Sequence, residues 1–323
     1  MKPPRWISPG CTQFKTAVTR SYPIEKKIEK MIMAFENNQN GTASHTGLPS
    51  TIVVKLGGTE GVDFSAICKD TAALLSQASN DAAGLKIVLV HGGSTEANNL
   101  GEALGTPPRF ITSPSGYTSR YTDHKTLEIF LMAVNGKVNT LLVEQLQRLG
   151  VNAFGLSGID GKLLQAIRKE SIQSIENGKR KVIRDDYTGK IEQVNVSLLK
   201  LLLDGGYLPV IAPVAVSPVG EALNVDADRA AAMVAAALHA DILIILTAVP
   251  GLLGNFPDEN SLIRRLPQNQ LPMALEVAQG RMKKKVLGAE EALQGGVGQV
   301  IIADGRIGNP ITNALQGNGT FIT

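Results

Sequence analysis

The 323 residues, 43% hydrophobic and 19% charged, are enough to bury a substantial core, and they exclude wholesale disorder. The net charge of +3 is unevenly spread: residues 1–50 carry seven Lys/Arg against three Glu, so the rest of the chain sums to −1 and a generally basic nucleic-acid binder is excluded. Two cysteines, Cys11 and Cys68, and four histidines without ligand spacing give no disulfide framework and no protein-built metal site, and a reducing, cytoplasmic compartment is expected.

Residues 1–50 read as an N-terminal extension. Pro3, Pro4, Pro9 and Gly10 break periodicity, Asn37–Ser50 is polar, and Ile24–Phe35 alone has the pattern of a short helix. Disorder is expected there, with Met31 and Met33 as alternative starts. The first twenty-four residues hold four basic and no acidic side chains, a composition shared with transit peptides, which is the competing reading.

From Thr51 onward, strand-length apolar runs fall at Ile52–Leu56, Ile87–Val90, Val151–Phe154, Tyr207–Ala212, Ile242–Leu246 and Val300–Ala303. Between them lie helix-length segments at Asp63–Gln77, Thr95–Leu104, Thr122–Ala133, Val138–Leu149, Val196–Leu203, Ala227–Leu238 and Met282–Leu293. The alternation predicts an α/β fold, a three-layer αβα sandwich with a mostly parallel sheet buried on both faces. The most apolar stretch, Ala230–Leu253, is broken by His239, Asp241 and Pro250–Gly251, so no membrane span is expected. Residues 161–194 depart from the rhythm. Charged and β-branched positions alternate there around Asn177–Gly178, which predicts a projecting β-hairpin. Lys162, Arg168, Lys169, Lys179, Arg180, Lys181 and Arg184 make it basic against Glu170 and Glu176. A solvated charged hairpin is the plain reading.

Two strands end in double glycines, Val54-Lys55-Leu56-Gly57-Gly58 and Val90-His91-Gly92-Gly93-Ser94. Parallel strands bring these turns to one edge of the sheet, where each precedes a helix N-terminus that favours an anion. Tight strand–helix turns need glycine in any case. Two such turns on one edge, one of them carrying Lys55, point to phosphate binding. No G-x-x-x-x-G-K-[ST], G-x-G-x-x-G, H-R-D or D-F-G motif occurs where it would be needed, so P-loop, dinucleotide-binding and protein-kinase folds are excluded. Other positions stay open on pattern alone. Lys285 ends a run Lys283-Lys284-Lys285 of the kind usually solvated, Asp226 and Asp228 are equal candidates to cap the Ala-rich helix, Arg120 suits a surface salt bridge, and His91 suits a core histidine.

The runs VVKLGG, VHGGS, PPRFITSP, SRYTDHKTLEIF, GLSGIDG, RDDYTGKIEQVN, LNVDADRAA, GRMKKKV and ADGRIGNP, in this order over residues 51–323, resemble the amino-acid kinase superfamily. Within it they are most similar to the acetylglutamate kinase branch and its [LysW]-L-2-aminoadipate 6-kinases. The resemblance implies a carbamate kinase-like fold, an acyl-acceptor lobe over 51–205 with the basic hairpin, and a nucleotide-binding lobe over 206–323. It implies ATP with Mg²⁺ held by the phosphates, and phosphorylation of a side-chain carboxylate on a substrate borne by a small acidic carrier protein of the LysW type. Homodimers are common in the family. The rival from the same family is an N-acetyl-L-glutamate 5-kinase of arginine biosynthesis, or a version using carrier-bound glutamate, which could also serve as a second acceptor beside aminoadipate; the rival from another class is a non-catalytic protein on the same scaffold. By resemblance, Lys55 and Lys285 neutralise the migrating phosphoryl group, Asp228 orients them, and Gly92 and Gly93 donate N–H groups to the acceptor carboxylate. Arg120 and Asn224 bind substrate, Gly57 and Gly58 cradle the ATP phosphates, and Thr247 to Leu253 line the nucleotide pocket. The hairpin then becomes the docking site for the carrier. One departure stands out: Thr247-Ala248-Val249-Pro250-Gly251 lacks the aspartate many members carry in this run.

Overall fold

The computed structural model describes residues 50–78, 84–114, 118–176, 179–278 and 280–323. The N-terminal extension, its Ile24–Phe35 segment and the Asn177–Gly178 turn lie outside these residues. In chain order the elements are β1 (Thr51–Leu56), α1 (Phe64–Ala78), β2 (Lys86–His91), α2 (Ser94–Ala103), β3 (Phe110–Thr112), β4 (Thr118–Arg120), α3 (His124–Leu131), a π-helical segment (Met132–Asn139), α4 (Thr140–Arg148) and β5 (Ala153–Ser157). They continue with β6 (Leu164–Arg168), β7 (Ile172–Glu176), β8 (Lys179–Ile183), β9 (Gly189–Val194), α5 (Val196–Asp204), β10 (Leu208–Ala212), β11 (Val214–Val216), β12 (Ala222–Asn224), α6 (Ala227–Leu238) and β13 (Ile242–Thr247). The last are β14 (Arg265–Leu266), α7 (Leu271–Val277), α8 (Arg281–Gln294), β15 (Gln299–Asp304), α9 (Pro310–Leu315) and β16 (Thr320–Ile322).

The large sheet has the order β14-β16-β15-β13-β1-β2-β10-β5, with all neighbours parallel except β15 and β16. Strand alternation divides β1 between two layers. Ile52, Val54 and Leu56 pack with Ile67 and Cys68 of α1, Leu142 and Leu146 of α4 and Ile311 of α9, while α6 covers the face onto which Val53 and Lys55 project. Helices therefore lie on both faces, as the sequence predicts. β10, from the second half of the chain, sits between β2 and β5 of the first, so one sheet runs through both halves.

Two readings change. The segments Thr122–Ala133 and Val138–Leu149 are expected as separate helices, but His124–Arg148 form one 25-residue helical run in which the π-helical segment joins them. That run has the length and composition of a membrane span, which division into two helices concealed. Its Leu127, Phe130, Val134, Val138, Leu142 and Leu146 are buried within the molecule. Residues 161–194 are two nested pairs rather than one hairpin. β6 and β9 belong to a small sheet β12-β11-β6-β9, and β7–β8 form the inner hairpin, paired from Ile172↔Ile183 to Glu176↔Lys179. The three-residue strands β3, β4, β11 and β12 are too short to show a period. β3–β4 packs on β7–β8 through Ile111, Tyr121, Ile172 and Ile183.

Candidate active site

β1 lies between β2 and β13, the point where successive strands switch from one side of the sheet to the other, and the crevice beyond its C-terminal end is where ligands of open α/β sheets bind. Register places Leu56 opposite His91, so the two double-glycine turns meet. A Cβ on Gly58 would lie 2.6 Å from Gly92 C and against Gly93 N, and one on Gly92 would lie 2.6 Å from Gly58 N. The glycines are thus required by backbone packed on backbone. The Gly58 carbonyl accepts from Ser94 Oγ at 3.0 Å and from the Thr95 N–H at 3.2 Å, and the Gly92 N–H donates to Leu56 O at 2.8 Å. This last bond corrects the expectation that Gly92 and Gly93 both present free amides: the Gly92 N–H is spent on the turn, while the Gly93 N–H has no acceptor among the described residues.

All ten residues singled out by the sequence line one crevice of about 750 Å³: Lys55, Gly57, Gly58, Gly92, Gly93, Arg120, Asn224, Asp228, Thr247 and Lys285. A second concavity, of about 530 Å³ and lined by Lys86 and Tyr207 at the other ends of the strands, contains none of them. At the centre of the crevice Asp228 takes two buried lysines, Lys55 Nζ at 2.7 Å from Oδ1 and Lys285 Nζ at 3.0 Å from Oδ2. The helices explain the meeting. Asp226, not Asp228, caps α6, accepting from the Asp228 and Arg229 N–H groups, which leaves the Asp228 side chain for the lysines. α6 and α8 approach closely because the residues between them are small. A Cβ at Gly288 would come to 3.4 Å from Asp228 O, and one at Gly295, just past the end of α8, would press against Ala236 Cβ. Lys285 shares a helical face with Gly288, Ala289 and Ala292, and this phase selects it from its neighbours in the lysine run.

Burial opposes ionisation of Asp228, but the Lys285 and Lys55 charges outweigh it and hold the carboxyl below the usual range. Lys285 is pushed down to about 8, chiefly by burial, with Asp228 opposing and the Lys55 charge adding to the drop. The cluster of two ammoniums and one carboxylate carries an excess positive charge with little water around it, the arrangement that stabilises a migrating anionic group. The sign of the pH effect follows. Lys285 is charged below its pKa and neutral above it, so kcat/KM for turnover is expected to fall as pH rises through about 8. Bound polyphosphate favours the ammonium, so the limb in kcat should lie higher; stopped assays across pH 6.5–9.5 check both.

Arg120 is half-buried and forms no ion pair with the described residues. Its Nη2 donates to Ser94 O at 3.1 Å and Asn98 Oδ1 at 2.6 Å, and burial, then the neighbouring Arg281 charge, lower its pKa. Asn224 donates to Thr122 Oγ1 at 3.1 Å. Thr247 reaches the crevice from β13, but Leu252 and Leu253 turn into the core, so the run Thr247–Leu253 does not line it as a whole. Arg168, counted among the basic residues of the hairpin, is engaged elsewhere: its guanidinium lies 3.7 Å from the Tyr187 ring centroid and pairs with Glu221 at 3.2 Å. The sequence reading did not place Lys169, Lys190, Arg229, Arg281, Lys283 and Lys284 in the crevice, which they also line; Lys190, Arg229 and Lys284 pair with Glu192, Glu291 and Asp226. It also missed Asp186, buried and accepting from the Thr122 and Thr188 N–H groups. Among the described residues no group of three His, Cys, Asp or Glu could hold a metal, and the crevice carboxylates Asp226 and Asp228 are engaged as above, so a protein-built Mg²⁺ site does not fit.

The family model described as the amino acid kinase family matches residues 50–304. The chain belongs to the amino acid kinase family. A relative named "[LysW]-aminoadipate kinase" from Deinococcus radiodurans is 57% identical over 272 residues, 84% of this chain and 91% of that protein. One of the same name from Thermus thermophilus is 53% identical over 273 residues, 84% of this chain and 99% of its own. The structure of carbamate kinase from Giardia, 17% identical with a TM-score of 0.57 over 85% of this chain and 99% of that one, has the same fold. The departure at Ala248 leaves the lysines and the double-glycine turns of the crevice in place.

Proposed function

We propose that the protein phosphorylates the side-chain carboxylate of L-2-aminoadipate carried on a small acidic carrier protein, using ATP that enters as its Mg²⁺ complex and yielding an acyl phosphate and ADP for lysine biosynthesis. A carboxylate oxygen attacks Pγ, the bond from Pγ to the β–γ bridging oxygen breaks, and ADP leaves. The nucleophile is ionised at neutral pH, so no general base is required, and the barrier lies in bringing anion to anion through a loose, charge-spread transition state. The observation that carries this reading is the Lys55–Asp228–Lys285 array beside the paired glycine turns.

In this reading Lys55 and Lys285 neutralise the migrating phosphoryl group from two sides and Asp228 holds both amines in place. The Gly93 amide faces the acceptor, Gly57 and Gly58 let ATP phosphates approach, and Thr247 adjoins the nucleotide. Arg120 and Asn224 orient the acceptor. Residues 51–205 form the acceptor half and 206–323 the nucleotide half. The names and identities of the relatives support the carrier-linked acceptor. A cytoplasmic homodimer belongs to the same reading through resemblance to the acetylglutamate kinase branch.

Coupled ADP release with carrier-linked aminoadipate, carrier-linked glutamate and free N-acetylglutamate tests the proposal. The first is expected to be best, with glutamate weaker by the ~1–3 kcal/mol that one methylene discriminates. Turnover of free N-acetylglutamate alone would replace this reading with the arginine-pathway kinase, and no turnover of any acceptor would favour a non-catalytic protein. We also place carrier docking on β7–β8. Substituting Lys179, Arg180 and Lys181 together by Glu is expected to raise KM for the carrier-linked substrate and flatten its salt dependence, with little change in kcat; unchanged kinetics would reject docking at this hairpin.

A further inference from the structure

His91 ends β2 directly before the Gly92–Gly93 turn, is fully buried, and takes no part in the transfer described above. Its Nδ1 lies 2.9 Å from the Gly92 carbonyl oxygen and its Nε2 lies 3.1 Å from Asn139 Nδ2, which also donates to Val210 O at 2.8 Å. These partners define the tautomer. A carbonyl only accepts, so Nδ1 carries the proton, and an amide NH₂ only donates, so Nε2 receives one. Burial, against the pull of the Gly92 carbonyl, takes the imidazole down to about 4, so it is neutral at working pH. Asn139 comes from the end of the π-helical segment, and the same segment backs the turn: a Cβ on Gly93 would meet Val134 Cγ1 at 2.7 Å. π-helical turns inside α-helices occur frequently at functional sites.

The Gly92 carbonyl and the Gly93 N–H belong to one peptide plane and point in opposite directions. A group that fixes the carbonyl therefore aims the amide. We propose that Asn139 and His91 are positioning residues for phosphoryl transfer: Asn139 locks the imidazole in its Nδ1–H form, and that N–H holds the Gly92 carbonyl so that the Gly93 amide points into the crevice. The inference rests on the kinase reading for its consequence but not for its geometry.

The test pairs a spectroscopic with a kinetic readout on the full chain. Long-range ¹H–¹⁵N NMR of wild-type protein, without ligands, is expected to show His91 as the neutral Nδ1–H tautomer from pH 5.5 to pH 9. An Nε2–H tautomer, or titration inside that range, overturns the proposal whether or not any variant folds. Asn139→Asp offers only acceptors to Nε2 and should replace the neutral Nδ1–H form by an imidazolium, whose Nδ1–H still donates to the Gly92 carbonyl, or by the Nε2–H tautomer; an unchanged neutral Nδ1–H tautomer in that variant would refute the lock assigned to Asn139. His91→Leu, which removes the donor to the Gly92 carbonyl, should lower kcat by about 10²-fold while KM for ATP stays within about twofold, the cost expected of a misaimed group. His91→Asn, whose side-chain NH₂ can occupy the place of Nδ1–H, should recover about tenfold relative to His91→Leu. Wild-type kcat in His91→Leu refutes positioning. Wild-type protein inactive on every acceptor refutes the kinase reading instead, and the tautomer result still decides the geometry.

Discussion

Replacing Lys285 by Met, or Lys55 by Met, is expected to lower kcat by about 10²–10³ while KM for ATP changes only a few-fold. Methionine keeps most of the unbranched stem, so the packing of β1 and α8 survives. The charge balance explains why the protein should still fold. Two ammoniums and one carboxylate meet in a buried cluster, Lys55 4%, Lys285 7% and Asp228 7% exposed. Removing one lysine leaves Asp228 with a single partner, a neutral pair, rather than an isolated buried charge of the kind that is strongly destabilising. What disappears is the positive excess available to the charge that spreads over the equatorial oxygens and builds on the leaving oxygen in a loose transition state. A loss confined to KM for ATP would instead mark the lysines as ground-state binders, because interactions equal in ground and transition states do not change kcat. Kinetics at saturating acceptor, with far-UV circular dichroism as the folding control, decide between the two.

Gly58→Ala is expected to lower kcat/KM by about 10²-fold, the scale of a displacement near 1 Å at a reacting centre. The added methyl would press on Gly92 C at 2.6 Å and on Gly93 N, both main-chain atoms. Neither turn can yield easily. The Gly58 carbonyl is tied to Ser94 and Thr95, and the Gly92 N–H is tied to Leu56. The methyl is therefore accommodated by moving the Gly92–Gly93 peptide, which lines the crevice. Gly308→Ala, where an added Cβ meets nothing within 4 Å, is the matched control and should leave kcat/KM and the melting temperature within error of wild type. Equal behaviour of the two variants would show that the close approach of the turns has no bearing on activity.

Much of this was legible in the residues, for identifiable physical reasons. The core strands are near-continuous Val/Ile/Leu runs because both faces are covered, and Lys55 stands out as the charge inside one of them. Asp226 and Asp228 could not be separated by pattern, since either suits the first turn of α6; the structure gives Asp226 the cap and Asp228 the lysines. Lys285 could have been chosen from its run by phase alone, because Lys285, Gly288, Ala289 and Ala292 recur at helical spacing on a small-residue face. Other features leave no local trace. β3, β4, β11 and β12 span three residues each, shorter than the alternation needed to detect a strand. The commitment of the Gly92 N–H to Leu56 and the contact of His91 with Asn139 arise only when distant segments are brought together, so no spacing rule announces them. The joined run His124–Arg148 was read as two segments, Thr122–Ala133 and Val138–Leu149, because nothing in the pattern announces the π-helical segment that joins them.

The claim on which the rest depends is that the two lysine amines act on the phosphoryl group in flight. Titration calorimetry with Mg·ADP, with and without aluminium fluoride as a planar mimic of that group and in the presence of acceptor, measures this directly. The mimic is expected to bind wild-type protein far more tightly than ADP alone, and Lys55→Met and Lys285→Met are each expected to lose that added affinity while keeping their affinity for ADP. Retention of the added affinity in either variant, or an equal loss of affinity for ADP and for the mimic, would contradict the account.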